Sequence, residues 1–110
     1  MELKIDSLGF QKTESSNKSI ENSFIKQMTY FVYLIGSYKF NKLITYVGYT
    51  NNIKKRLNSH NNGRGAKFTR GRTWKLLYFE KYLTKKEAIL RECYIKKNRK
   101  FRNLIKEKFK

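Results

Sequence analysis

Two short apolar runs, residues 30–35 and 45–49, constrain the fold of this chain more than any other feature. Both are rich in β-branched and aromatic residues, a composition typical of strands. The polar residues between them, 36–42, are numerous enough for a hairpin loop. A hairpin centred on that loop places Tyr33 directly opposite Tyr46, and facing residues of an antiparallel pair project to the same side of the sheet. The sequence therefore predicts two phenols side by side on one face.

The remaining patterns predict three helices and a third strand. Residues 53–60 follow an Asn-Asn pair that can cap a helix, and an Asn-Gly pair after them can end it. Residues 74–81 are apolar and aromatic enough for a strand. Thr84 begins a capping box, and apolar residues spaced three and four apart over 101–109 predict a final amphipathic helix. This order predicts an α+β fold, a small three-stranded antiparallel sheet flanked by helices.

The positive charge of the chain is confined to its second part. The formal net charge of the 110 residues is +18, but residues 1–27 contain four Lys and four acids, which cancel. Residues 28–110 carry 22 Lys or Arg against four Glu. We therefore expect a flexible polar leader over residues 1–27, with a short helix at 20–27, and one folded domain over residues 28–110. Met28 is a candidate functional start of that domain.

A positive field of this size favours a polyanionic partner, either nucleic acid or an anionic membrane surface. No apolar run approaches the roughly 20 residues that span a bilayer. The basic residues are also spread over the whole domain rather than along one helix face. An ordinary solvated surface would balance its Lys with Asp and Glu. The sequence therefore predicts a nucleic-acid partner, DNA or alternatively RNA, and no membrane; it is silent on the oligomeric state.

The scarcity of cysteine and histidine excludes several kinds of site. Cys93 and His60 are the only residues of their types. One cysteine cannot form an internal disulfide or a cysteine-based zinc site, and one histidine cannot build a multi-histidine metal site. The N-terminus lacks the long apolar core of a secretory signal, so we expect an intracellular, cytoplasmic protein.

Of the four acids in the basic domain, Glu92 alone has a position that predicts burial. Glu87 belongs to the capping box, and Glu80 and Glu107 are expected to be solvated. Glu92 shares the inward side of its helix with apolar neighbours at spacings of three and four. A buried carboxylate needs a partner, either an Arg or Lys in a structural ion pair or a divalent metal ion. Taken alone, Glu92 fits the ion pair better, because ion pairs are commoner than metal sites.

The other polar residues of the predicted site favour a metal ion over a structural ion pair as the partner of Glu92. Arg56 and His60 are four residues apart and are therefore neighbours on one helix face. Each polar residue has an ordinary explanation by itself, because tyrosines pack at rims, an arginine is solvated and a lone histidine caps or packs. No such explanation covers all of them together. The candidate catalytic set is Tyr33, Tyr46, Arg56, His60 and Glu92, with Glu92 as the candidate metal ligand.

A basic loop follows the first predicted helix. Residues 63–72 combine three glycines with basic side chains around Phe68. This composition suits a mobile segment that contacts phosphates through guanidinium groups and backbone amides. The candidate nucleic-acid-binding residues are Lys55, Arg64, Lys67, Arg70 and Arg72.

The chain from Met28 to about Lys100 resembles the GIY-YIG nuclease superfamily, most closely its small stand-alone bacterial members. The two motifs appear as Phe31-Val32-Tyr33, which departs from Gly-Ile-Tyr but keeps the tyrosine, and Tyr46-Val47-Gly48, with Val for Ile. Arg56, His60 and Glu92 follow at the positions where the family pattern has its functional residues, and the loop over 63–71 is similar to that of the stand-alone members. The motifs are short and degenerate, so their joint spacing carries the resemblance. Asn98 and Asn103 are candidates for a later Asn that assists the site in some members.

The resemblance implies metal-dependent hydrolysis of phosphodiester bonds in DNA. It implies that Glu92 holds a single Mg²⁺ or Mn²⁺ and that Arg56 neutralises charge on the phosphate. Tyr33 or Tyr46 is expected to orient the attacking water and accept its proton, with help from His60. That role requires basic surroundings that favour phenolate, because a free phenol has a pKa of about 10. Structure-selective cutting in DNA repair or recombination is implied by the family alone.

A non-catalytic nucleic-acid-binding module is the alternative function. Such a module would use the Lys and Arg surface, with Phe68, Trp74 and the tyrosines as platforms on which bases stack. The five candidate catalytic residues favour the nuclease, because simple binding does not require them. A third function, a basic scaffold of a ribonucleoprotein, is supported by charge alone.

Overall fold

The computed structural model describes residues 29–109. In chain order the elements are β1 (Tyr30–Lys39), β2 (Lys42–Thr50), α1 (Ile53–Asn61), a 3₁₀ turn (Lys67–Thr69), β3 (Lys75–Tyr82), α2 (Lys85–Lys97) and α3 (Arg99–Glu107). This order confirms the predicted α+β fold with its three-stranded antiparallel sheet. The predicted leader over residues 1–27, its short helix and the candidate start at Met28 lie outside the described residues. None of the described helices is long and apolar enough to cross a membrane.

Strand β1 lies in the centre of the sheet, between β2 and β3. Because side chains alternate along a strand, β1 contributes to two separate cores. Val32 and Leu34 pack against α2 and α3, in a cluster that includes Ile95. Tyr33 points to the opposite side, which we call the α1 face, where it packs in a smaller cluster with Trp74. The candidate site therefore begins on the α1 face of the sheet.

The hairpin between β1 and β2 differs from the prediction. Its connection is only two residues long, Phe40 and Asn41, both with positive φ (54° and 60°). Such a left-handed pair matches the twist of two flanking strands, and Asn is one of the few residues that adopts it readily. The register pairs Tyr33 with Gly48, so the predicted pairing of Tyr33 with Tyr46 is wrong by two residues. A shift of two keeps the face, and both phenols still project from the same side.

The predicted hairpin loop is wrong because its first residues resemble a turn but belong to a strand. Gly36 and Ser37 are both buried within β1. A Cβ atom at Gly36 would lie 2.7 Å from Leu77 Cδ1, so this glycine allows β1 and the neighbouring β3 side chain to approach closely. In the sequence, Gly36 resembles a turn residue; in the structure, a glycine is needed at this position because it is small.

Three helix starts are fixed by side-chain caps. Asn52 accepts a hydrogen bond from the Lys55 N–H at 3.0 Å, and Thr84 accepts one from the Glu87 N–H at 3.1 Å, which confirms both predicted N-termini. Asn98 separates α2 from α3, and its side chain accepts the Phe101 N–H at 2.9 Å.

Glu80 was expected to be solvated, and that prediction is wrong. Its side chain is only 15% exposed. Arg91 of α2 donates from Nε to one carboxylate oxygen at 2.7 Å and from Nη2 to the other at 2.9 Å. The hydroxyl of Tyr82 donates at 2.6 Å, and that of Tyr78 donates as well. Strand alternation explains this cluster, because residues two apart share a face, and that face packs against α2.

Candidate active site

His60 is the organising residue of the α1 face. It is completely buried, and both ring nitrogens have partners. Nδ1 lies 2.8 Å from Thr69 Oγ1, and that hydroxyl donates its only hydrogen to the Ala66 carbonyl at 2.9 Å. We assign the tautomer in which His60 Nδ1–H donates to Thr69 and Nε2 is the acceptor, because the Thr69 hydrogen then satisfies the Ala66 carbonyl. Nε2 lies 2.8 Å from the Tyr33 hydroxyl, so the phenol donates to a neutral imidazole.

Burial keeps both members of this pair in their neutral forms. It lowers the pKa of His60 below its ordinary value, and the positive charge of Arg56 acts in the same direction. Burial also raises the pKa of Tyr33, and the hydrogen bond and charge of Arg56 offset only part of that effect. The condition that the surroundings favour phenolate is therefore not met at Tyr33, because removal from water raises the pKa of its phenol more than the nearby cation lowers it.

Arg56 lies beside this pair at a longer distance. It stands on α1, one turn before His60, and its side chain is half-buried. Its Nε–H donates to the Tyr33 oxygen at 3.4 Å. Since the phenol hydrogen goes to His60, a lone pair on the oxygen is available for Arg56. The guanidinium is held loosely enough to turn toward an anion that enters the site.

Tyr46 is more accessible than Tyr33. Its ring packs edge-on against His60, with the centroids 5.2 Å apart, and stacks on Phe68 at 6.0 Å with an interplanar angle of 21°. Within residues 29–109 its hydroxyl has no hydrogen-bond partner. Tyr46 and Phe68 both line a groove of about 330 Å³, which also borders Lys96 and Arg102. The Tyr46 phenol therefore faces open space, whereas that of Tyr33 is enclosed.

Glu92 is inward-facing, as its helical position predicted, with a side chain only 15% exposed. Its nearest charged partner is Lys96, one turn later on α2, at 3.5 Å, and that lysine is 51% exposed. The Glu92 charge also contributes to raising the pKa of Tyr33, as does Tyr46, so the carboxylate lies within electrostatic reach of the phenol. Tyr33, Tyr46, Arg56 and His60 thus lie together on the α1 face, and Glu92 lies on α2 within electrostatic reach of Tyr33.

The donor set fits a single divalent cation held by one carboxylate. In the described part of the chain, no three His, Cys, Asp or Glu side chains cluster closely enough to enclose a metal ion. Mg²⁺ suits such a site, because it keeps several waters and binds through one or two carboxylates plus substrate phosphate. Both oxygens of Glu80 already accept two hydrogen bonds each, whereas Glu92 has one long contact with an exposed lysine. Glu92 is therefore the carboxylate that is free to bind.

Two glycines make room for this arrangement. A Cβ atom at Gly48 would lie 2.4 Å from the Tyr33 oxygen, and one at Gly65 would lie 2.2 Å from His60 Nδ1. Both distances are far below van der Waals contact. Gly48 thus permits the phenol to lie flat against β2, and Gly65 permits the loop to close over the imidazole.

We expect Gly48→Ala to reduce activity while leaving every polar group of the site in place. The added methyl must displace the Tyr33 hydroxyl by about 1 Å, and a displacement of that size can lower a rate about 100-fold. The measurement is the single-turnover cleavage rate, with circular dichroism to show that the fold is retained. A rate within threefold of the wild type would mean that the position of the Tyr33 oxygen is unimportant.

The basic residues predicted to bind nucleic acid are placed unequally. Lys55, Arg64, Lys67 and Arg70 are exposed, on α1 and on the loop that follows it. Arg72 is half-buried, and its Nη1 atom is shielded from solvent with no hydrogen-bond partner among the described residues. The first four are free to contact phosphates, whereas Arg72 is partly enclosed.

The loop is anchored at its centre, and its predicted mobility stays a prediction. Thr69 lies at the centre of the loop and is fully buried. Its hydroxyl is hydrogen-bonded to His60, and its carbonyl accepts a hydrogen bond from the Trp74 indole N–H at 2.8 Å. Trp74 is only 2% exposed, so its predicted use as a stacking platform is wrong. Phe68 is 58% exposed and can serve in that role. Sequence reasoning missed Thr69, because a threonine in an irregular loop has no periodic signal.

The two candidate asparagines do not join the site. Asn98 caps α3 and donates from Nδ2 to the Tyr94 hydroxyl at 2.9 Å. Asn103 is exposed on α3 and borders a different hollow, next to Lys42 and Lys106. Neither has a contact with the Tyr33–His60 pair.

A family model and several bacterial proteins match this chain. A model of the GIY-YIG catalytic domain matches residues 29–106, which is more than half of the chain. A UPF0213 protein of Clostridium perfringens is 60% identical over 53 residues, or 47% of this chain and 57% of that protein. One from Bacillus licheniformis is 58% identical over 53 residues, 47% and 55% of the two chains. One from Staphylococcus epidermidis is 44% identical over 68 residues, 61% and 79% of the two chains.

The aligned stretch spans little more than half the length of the first two relatives. The names of these bacterial proteins state no activity. No solved structure matches the chain.

Proposed function

This chain belongs to the GIY-YIG family, and from that premise we propose that it is an endonuclease that hydrolyses phosphodiester bonds in DNA with the help of Mg²⁺ or Mn²⁺. The observation that carries the proposal is the contact between the Tyr33 hydroxyl and both His60 and Arg56, with Glu92 in electrostatic reach. A protein that only binds nucleic acid has no need of a buried phenol–imidazole pair. A role in DNA repair or recombination stays a prediction from the family.

The cation, held by Glu92, would polarise the phosphate and stabilise the charge that develops on its oxygens. Arg56 would neutralise charge on the same phosphate group. Tyr33 and His60 together offer a route for the proton of the attacking water. As water attacks phosphorus, the bond from phosphorus to the leaving sugar oxygen breaks, and that oxygen takes a proton from solvent. The proton of the attacking water passes to the Tyr33 oxygen, and the phenol hydrogen passes to His60 Nε2. The imidazolium then gives up its extra proton to solvent, because burial lowers the pKa of His60. No free phenolate forms on this route, which agrees with the raised pKa of Tyr33.

Tyr46 offers the alternative route, as a base that takes the proton directly. We expect the Tyr33 route to dominate, because only Tyr33 has an acceptor aligned to receive its hydrogen. Tyr33→Phe should then lower the single-turnover rate by about 100-fold or more, the usual contribution of a general base. Tyr46→Phe keeps the stack on Phe68 and should lower the rate by about tenfold or less. The reverse order of effects would assign the base to Tyr46.

The proposed activity is tested directly by cleavage assays. Purified chain is incubated with supercoiled plasmid, linear duplex, single-stranded and branched DNA, in Mg²⁺, in Mn²⁺ and in excess chelator. We expect metal-dependent cleavage of at least one substrate and none in chelator. If every DNA stays intact with both metals, while the protein still binds DNA, the chain is a binding module rather than a nuclease.

A further inference from the structure

We propose that a groove along the outer edge of β2 holds the sugar-phosphate backbone of the nucleic acid where it leaves the active site. This inference rests on the proposed function in one respect, namely that the bound strand reaches Tyr46. It concerns a separate surface, on which none of the candidate catalytic residues other than Tyr46 lies.

The groove consists of two adjoining hollows. The first is the one of about 330 Å³ beside Tyr46 and Phe68. The second, of about 350 Å³, lies between β2 and α3, where Lys42 and Lys106 are among the residues that border it. Thr45 and Arg102 line both hollows, so the two hollows adjoin, and we call them together the edge groove. It runs from the candidate site to the hairpin end of the sheet.

The walls of the edge groove carry positive charge only. Its cationic side chains are Lys42, Lys96, Arg99, Arg102 and Lys106, and no acid is among its described lining residues. Arg99, Arg102 and Lys106 are three and four residues apart on α3, so they share one face of that helix, and this face lines the groove beside β2. Lys96 also contacts the candidate metal ligand at 3.5 Å. Basic side chains therefore line the groove from Lys96, which contacts Glu92, to Lys42 at the hairpin end.

Strand β2 gives the groove a second kind of donor. It is an edge strand, paired only with β1 in the described sheet. An edge strand presents unpaired backbone N–H groups at alternate residues, and phosphate oxygens accept hydrogen bonds from such groups as well as from Arg and Lys. A polyanionic strand lying parallel to β2 would meet both kinds of donor.

The length of the groove sets the length of nucleic acid that it can hold. From Tyr46 to Lys42 the strand advances about 13 Å, at roughly 3.3 Å per residue. Phosphates follow one another at about 3.4 Å along the axis of one strand in a duplex. This axial rise is the shortest spacing that successive phosphates can have along the groove, so the groove accommodates at most about four nucleotides beyond the position that stacks on the Tyr46–Phe68 pair.

The test is a binding measurement that does not depend on cleavage. Full-length protein in chelator is titrated into labelled DNA, and the dissociation constant is measured by fluorescence anisotropy over a range of NaCl concentrations. The groove variant combines Lys42→Ser, Arg99→Ser and Lys106→Ser. Arg102 is left in place, because it donates to the Ile95 carbonyl at 2.8 Å and supports the end of α2. The matched control combines Lys75→Ser, Lys86→Ser and Lys100→Ser, which removes the same charge from exposed positions outside the groove.

We expect the groove variant to bind DNA about tenfold more weakly at 0.15 M salt. The plot of log K against log salt should also become less steep, by about 2 in the magnitude of its slope, because three phosphate contacts are lost. The control should change the slope by less than half as much. Two labelled probes, a duplex with a four-nucleotide single-stranded tail and one with four further base pairs, identify which form of strand the groove holds. The proposal is supported if, on either probe, the groove variant loses more affinity than the control variant.

Equal effects of the two triple variants on both probes would overturn it, since the charge would then act only as a diffuse field. Lys42→Ser alone, at an exposed hairpin position, provides the same comparison if the triple variant does not fold. The outcome is separable from that of the proposed function: binding that depends on the groove survives if no DNA is cleaved, and cleavage survives if the groove is irrelevant.

Discussion

Replacing Glu92 by Gln is expected to abolish metal-dependent cleavage and to leave DNA binding nearly unchanged. Gln has the same shape but no charge, so the site loses its carboxylate ligand for the cation. A bound divalent cation supplies several kcal/mol of transition-state stabilisation, and about 4 kcal/mol corresponds to a loss of roughly 1,000-fold in rate. Removing one negative charge from a basic surface should, if anything, strengthen DNA binding slightly.

The comparison for this variant is Glu87→Gln. Both substitutions remove one acid from α2, and Gln can replace Glu in a capping box, so the helix start at Thr84 is retained. We expect the control to cleave at the wild-type rate. Single-turnover kinetics in Mn²⁺ and anisotropy in chelator measure the two properties separately. If Glu92→Gln cleaves within tenfold of the wild type, then Glu92 does not hold the metal.

The sequence was sufficient for the fold, because the fold depends on local patterns; the identity of the site residues stays a prediction. Strand composition, two caps and the amphipathic final helix each predict an element from its own residues. The side of the sheet on which Tyr33 and Tyr46 project was also predictable, although their pairing was not. A strand repeats every two residues, so an error of two in the register leaves the face unchanged.

What the sequence could not provide is how polar groups distribute their hydrogen bonds. The sequence predicts a solvated Glu80 and an inward-facing Glu92, yet their side chains are equally exposed at 15%. One is saturated by Arg91 and two phenols, however, and the other is not. The link from His60 to Thr69 depends likewise on the path of an irregular loop. The ionisation of Tyr33 depends on a balance between burial and Arg56 that spacing cannot estimate.

Among the substitutions proposed for this chain, Glu80→Ala is expected to lower the free energy of unfolding most. Its carboxylate binds β3 to α2 through Arg91, and Glu80→Ala leaves that guanidinium and two phenols without their acceptor. Breaking a buried pair in this way costs about 3–5 kcal/mol, and the partial exposure of Arg91 places the expected loss near the lower limit, about 3 kcal/mol. Urea denaturation at pH 7 measures it. Glu92→Gln is the comparison, because a pair with a half-exposed lysine contributes about 1 kcal/mol or less.

The same carboxylate predicts how stability depends on acid. Burial by itself would raise the pKa of Glu80, but hydrogen bonds from Arg91, Tyr78 and Tyr82 outweigh it and hold the pKa below its ordinary value. As the pH falls, the unfolded chain therefore takes up a proton at Glu80 before the folded chain does. The stabilisation from Glu80 is complete above the unfolded pKa of about 4.3, and it is lost as the pH falls through the lower pKa of the folded protein. Glu80→Gln, which cannot titrate, should lose less stability than the wild type between pH 5 and pH 2. Parallel losses in the two proteins would show that Glu80 is not the acid-sensitive contact between β3 and α2.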